Sequence, residues 1–138
     1  MKKLFATVAV VALGAMACSK KDTGPNNSAT IIGKWQFVSA HSKFKYTDPR
    51  IGNTDTTILG HAGDFINFGS NGTASSHVWD ASSSSFNDAT SSYMVSGNLL
   101  ILDTDTATIQ TLTSSNLSLY VKNVYTIATI ETWESFKR

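Results

Sequence analysis

The chain has 138 residues, with 11 Lys+Arg against 10 Asp+Glu and a formal net charge of +1. That balance leaves no basic stripe for nucleic acid, and the length fits one domain. Cys18 is the single cysteine, which excludes an internal disulfide and leaves packing and hydrogen bonds to stabilise the fold.

The first element is a leader. Met1-Lys2-Lys3 is basic, and Leu4 to Ala17 is apolar or small apart from Thr7. The run is shorter than the roughly 20 residues a membrane-spanning helix needs. A basic start, a short apolar core and small residues before a cut site predict a secretory signal over residues 1–17. Leu13-Gly14-Ala15-Met16-Ala17 before Cys18 resembles the lipobox of bacterial lipoproteins, with Ala15 where Leu is usual. That resemblance implies diacylation of the Cys18 thiol and cleavage after Ala17. Each buried CH₂ of such a lipid contributes about 0.8 kcal/mol, so two or three acyl chains hold a protein on a membrane. Loss of Lys2 and Lys3 with the leader leaves nine basic side chains against ten acidic ones. Ser19 after the cysteine, in place of Asp, resembles lipoproteins released to the outer membrane. The lone Asp22 after Lys20-Lys21 leaves the face of that membrane open. Residues 18–30 are polar and hold Gly24-Pro25; they predict a lipidated cysteine and a flexible tether spanning about 20 Å.

Residues 31–138 predict the folded domain. No stretch keeps the three-and-four spacing of an amphipathic helix, whereas period-two alternation recurs, so the domain reads as all-β. The first strand covers Gly33 to Ala40 and continues or bends into Phe44 to Thr47. Asp48 to Thr57, with Pro49, Gly52 and Asn53, predicts a loop. Phe65-Ile66-Asn67-Phe68 and Thr73 to Trp79 form a hairpin around Gly69-Ser70-Asn71-Gly72, where Asn-Gly is a strong turn signal. Asp80 to Thr90 predicts a second loop through its serine run, with Phe86 either a lid over one barrel end or packed locally. Ser91 to Leu102 predicts a hairpin with Gly97-Asn98 at its tip. Asp103-Thr104-Asp105-Thr106 predicts a turn, since a calcium loop needs more oxygen ligands than this cluster offers. Ala107 to Leu112 and Asn116 to Val121 form a further hairpin, and Tyr125 to Phe136 is the last strand. Eight or nine strands joined mostly by short turns predict an antiparallel up-and-down barrel of about eight strands, with a two-sheet sandwich as the competing architecture.

Gly33-Lys34-Trp35 resembles the Gly-x-Trp signature of lipocalins. With Phe65 to Thr73, Tyr93 to Ile101 and Leu112 to Val121, the chain resembles the small lipocalin-like domain lipoproteins of Gram-negative envelopes over nearly all of Ile31 to Phe136. The resemblance implies a lipocalin-like barrel in which Gly33 and Trp35 close one end and Arg138 lies across the Trp35 ring. It implies no particular ligand.

No catalytic constellation emerges. His41, His61 and His77 are far apart, without metal-ligand spacing. Glu131 and Glu134 fall on opposite faces of a regular strand. No phosphate loop or cofactor fingerprint is present. The chain therefore reads as a non-catalytic, cofactor-free binding protein, anchored by lipid to the cell envelope, most simply at the outer membrane. Its candidate ligand-lining residues are Phe37, Phe65, His77, Trp79, Val95, Leu117 and Leu119, which suit a small hydrophobic ligand. The alternative is an envelope interaction or structural module whose barrel is filled by its own side chains.

Overall fold

The computed structural model describes residues 30–138. The expected leader, Cys18 and the expected tether as far as residue 29 lie outside the described residues. Nine strands follow one another: β1 (Gly33–Tyr46), β2 (Thr54–Leu59), β3 (Phe65–Phe68), β4 (Thr73–Asp80), β5 (Ser85–Ser96), β6 (Leu99–Leu102), β7 (Asp105–Leu112), β8 (Asn116–Val124) and β9 (Ala128–Lys137). Their wealth of β-branched and aromatic side chains suits a pleated, half-buried surface.

Eight of these strands close a ring. Each of β3 to β8 pairs antiparallel with its successor, and β9 returns to β1, which also pairs with β3. The closing ladder is long, running from Gln36 opposite Lys137 to Tyr46 opposite Ala128. This is a closed, antiparallel, up-and-down barrel of eight strands, lipocalin-like in architecture, and it removes the free edges that a sandwich would leave.

β2 is the strand outside the ring, and it corrects the expected Asp48–Thr57 loop. It runs along the same edge of β1 as β3 does, with Leu59 opposite Ser39 and Phe65 opposite Gln36. β2 and β3 thus act as one strand interrupted by residues 60–64. The junction is held by Phe37 N–H donating to Asp64 O at 3.0 Å and by Gly60 N–H donating to Val38 O at 2.8 Å. Gly60 is needed there because a Cβ would strike the Phe37 carbonyl. Across the ring β1 is bulged between Phe37 and Ser39, which re-phases its inward face.

The second loop is also shorter than expected. β5 begins at Ser85, so Phe86 is a strand residue opposite Trp79 and not a lid. The tight turn before it is built on Asp80, whose carboxylate accepts from Ser82 N–H at 2.8 Å and Ser82 Oγ at 2.6 Å. Those bonds hold the Asp80 carboxyl down at about 2. β7 likewise starts inside the predicted Asp103–Thr106 turn. Asp103 Oδ1 there accepts from Ser92 N–H at 2.8 Å and Ser92 Oγ at 2.9 Å.

The core sits at one end of the ring. Trp35, Phe68, Leu100 and Leu117 are fully buried, and Ala74, Ala107, Leu119 and Phe136 complete the layer. Trp35 Nε1 donates to Ile31 O at 2.7 Å, which satisfies the indole inside this apolar layer. The Arg138 guanidinium carbon lies 4.0 Å from the Trp35 ring centroid. Arg138 Nη2 also donates to Thr30 O at 3.0 Å and to Ile32 O. Gly33, at a φ of 121°, lets the guanidinium approach, since a Cβ would sit 3.1 Å from Nη2. Arg138→Ala is expected to lower stability by about 1–2 kcal/mol. It should also red-shift emission from Trp35 in a background where Trp79 and Trp133 are Phe; an unchanged spectrum would show that Arg138 does not cover the indole.

The other end is open because pairing stops early. The β3–β4 ladder ends with Phe65 opposite His77, and the β5–β6 ladder with Tyr93 opposite Leu102. Beyond these points the wall splits. One lip is the continuing β2–β1–β9–β8 sheet, and the other is the β4–β5 hairpin.

Candidate functional site

The open end is the candidate binding site. Its lining follows from alternation and register. On β9, Phe136, Glu134, Thr132 and Ile130 share the face of the buried Phe136. Across β1 they stand opposite Phe37, Ala40, Ser42 and Phe44. On β8 they stand opposite Leu117, Leu119, Val121 and Asn123. Ile66 from β3 and Ser76 and Val78 from β4 complete the wall. Phe37 and Phe136 meet edge to face at 5.5 Å, forming the floor. Higher up, Ser42 Oγ and Thr132 Oγ1 are hydrogen-bonded at 3.0 Å.

Two spaces remain above that floor. One, of about 250 Å³, is lined by Phe37, Phe65, Ile66, Ser76, Val78, Glu134 and Phe136. The other, of about 360 Å³, is bordered by Leu102, Asp105, Leu119, Val121, Tyr125 and again Glu134. Glu134 is therefore shared by both. Burial pushes its carboxyl above the usual glutamate value. By linkage, the empty barrel is most stable with this carboxyl protonated. That contribution is complete below the ordinary glutamate pKa and is lost as pH rises through the raised value.

The candidates named from sequence separate into three groups. Phe37 lines the first space, Leu119 borders the second at 2% exposure, and Leu117, at 1%, belongs to the core layer beneath. Val95, opposite Leu100, is 40% exposed and edges a surface groove with Ile31, Ile32 and Met94. His77 and Trp79 alternate with Ser76 and Val78 and so lie on the outer face, and Phe65, on the same outer ladder, also borders the first space at its rim. There they form an aromatic ladder. His77 stacks on Phe65 at 5.3 Å and on Phe86 at 4.1 Å, while His61 stacks on Trp79 at 4.6 Å. Lys34 Nζ caps the ladder 3.7 Å from the Phe65 centroid, and His77 Nδ1 lies 2.6 Å from Asp88 Oδ1.

The two glutamates of β9 do fall on opposite faces. Glu131 is outside, 3.0 Å from Lys45 Nζ and accepting from Tyr120 Oη at 2.8 Å. Those partners, Lys45 first, hold its carboxyl below the usual range. Glu134 was not among the candidates. The signal was present: its face-mates Ile130 and Phe136 are apolar, which marks that face as the inner one. Among the described residues no group of three or more His, Cys, Asp or Glu could hold a metal ion.

Comparison of the chain with protein-family models, with curated proteins and with solved structures finds no match in any of the three.

Proposed function

We propose that this chain is a lipid-anchored protein of the cell envelope whose barrel takes a small, largely apolar ligand at its open end and performs no chemistry on it. The observation that carries this reading is the unfilled interior above the Phe37–Phe136 floor, where spaces of about 250 and 360 Å³ flank Glu134. Ligand sites are typically concave and mostly apolar, with a few placed polar groups, and run from about 300 Å³ upward. The larger space sits at the small end of that range and the other falls just below it, so the ligand is compact. The anchor part of the proposal rests on the lipobox-like residues before Cys18. A barrel closed at the end from which residue 30 leads back toward the tether would turn its open end away from the membrane.

The filled-barrel module is the competing reading, favoured by the packing of Trp35, Phe68, Leu100 and Leu117 at the closed end of the interior. Native mass spectrometry of the full chain, expressed in a Gram-negative envelope and released from mild detergent, separates the two. A stoichiometric adduct of small mass is expected on the lipidated protein, whereas a bare mass in repeated preparations would favour the module. In the same cells radiolabelled palmitate should enter the wild-type chain and not Cys18→Ala; labelling of the variant would overturn the anchor.

A further inference from the structure

We propose that the barrel mouth selects a compact apolar amine, a ligand with a hydrophobic body and a protonated nitrogen bound by Glu134. This rests on the ligand-binding reading above and names the chemical class of the ligand.

The argument begins with the position of the carboxylate. Glu134 stands between Ala40 on β1 and Leu119 on β8. Ala40 is small, so space is left beside the carboxylate, and Leu119 is apolar, so it offers no hydrogen bond. Among the described residues the Glu134 side chain has no counter-charge, and desolvation raises its pKa. The cations near this wall are committed elsewhere. Lys45 and Lys122 reach Glu131 on the outer face at 3.0 and 3.9 Å, and Lys43 lies 5.5 Å from the Trp133 centroid. Neither space that Glu134 borders is lined by a Lys, Arg or His, and the larger one carries a second carboxylate, Asp105.

A half-buried carboxylate without a partner is costly, and a ligand that displaces its water without replacing the interaction increases that cost. An anionic ligand adds like charge to the same space. A neutral apolar ligand leaves the carboxylate bare. A protonated amine supplies the missing charge and a charge-assisted hydrogen bond, which is about twice as strong as a neutral one. Its hydrophobic body then occupies the space bounded by Phe37, Ile66, Val78 and Phe136.

Three probes of one shape test this: phenethylamine, phenethyl alcohol and hydrocinnamate. Each is titrated by ligand-observed NMR against the full lipidated chain in phosphatidylcholine nanodiscs, with empty nanodiscs subtracted. The amine is expected to bind at least about tenfold tighter than the alcohol, with the carboxylate weakest. Glu134→Gln should keep the alcohol affinity and reduce the amine preference to under about threefold. Glu131→Gln removes a carboxylate from the outer face and should leave that preference intact. Circular dichroism of each variant shows that it is folded. Equal affinities for amine and alcohol in the wild type, or an amine preference that survives Glu134→Gln, would overturn the amine proposal while leaving a barrel that binds apolar ligands. Tightest binding of hydrocinnamate would overturn it in favour of an acid ligand. No binding of any probe by the folded wild type would overturn the amine proposal together with the ligand-binding reading.

Discussion

Trp35→Ala is expected to destabilise the barrel by about 3–5 kcal/mol. Trp35 is 0% exposed, the largest side chain of the core, and its indole N–H is bonded to Ile31 O. Truncation removes a large apolar area and leaves a void that the surrounding strands cannot collapse into, because the ring fixes their spacing. It also leaves the Ile31 carbonyl without its donor and the Arg138 guanidinium without its ring. Domains of this kind have about 5–15 kcal/mol in total, so the variant loses a large fraction of its stability. Urea titration followed by circular dichroism measures the loss. Trp35→Phe, which keeps most of the volume, should cost clearly less. A midpoint for Trp35→Ala within error of wild type would show that the closed end does not hold the fold together.

The second large effect is expected at Asp64, a buried polar residue at 4% exposure. It holds the junction where β2 gives way to β3. Its carboxylate accepts from His61 N–H at 2.6 Å and from Trp79 N–H at 2.7 Å. Its own carbonyl accepts from Phe37 N–H at 3.0 Å. Asp64→Ala strips two backbone donors of a charged acceptor in a partly buried place, which is expected to cost about 3 kcal/mol. Asp64→Asn keeps one acceptor but sets an amide NH₂ against the other donor, so it should recover only part of the loss. Hydrogen exchange reads the effect locally. The His61 and Trp79 amides should lose protection in Asp64→Ala before the Leu100 and Leu117 amides do. Uniform loss at all four would show that Asp64 acts on the whole fold and not on this junction.

The ring was legible where turn chemistry and alternation agree. Asn71-Gly72 and Gly97-Asn98 mark the β3–β4 and β5–β6 tips, and Leu117, Leu119 and Val121 name the inner face of β8. β2 was not legible, because Thr54–Leu59 is exposed along its whole length. Its backbone pairs with the edge of β1 without a buried face, so no period-two pattern was needed. Serine content hid the start of β5 in the same way. Alternation did show that His77 and Trp79 share a face, but it could not say which. The aromatic character of that face suggested an interior, whereas the interior at that level is built from the smaller Ile66, Ser76 and Val78. Glu134 was overlooked for the complementary reason: a charged residue on an apolar face reads as an exception until the barrel gives it an inside to point into.

The β1–β9 ladder has a consequence in time. Gln36 and Lys137 meet only when strands about a hundred residues apart come together. Contacts of such long sequence separation are slow to form, since the loop-closing entropy must be met before any pairing stabilises the state. During synthesis β1 emerges first and β9 last. For that interval the chain is an unclosed ribbon with two unpaired edges, the condition most prone to pairing with other chains. The fold therefore matures as a late event, once β9 is free to close onto β1.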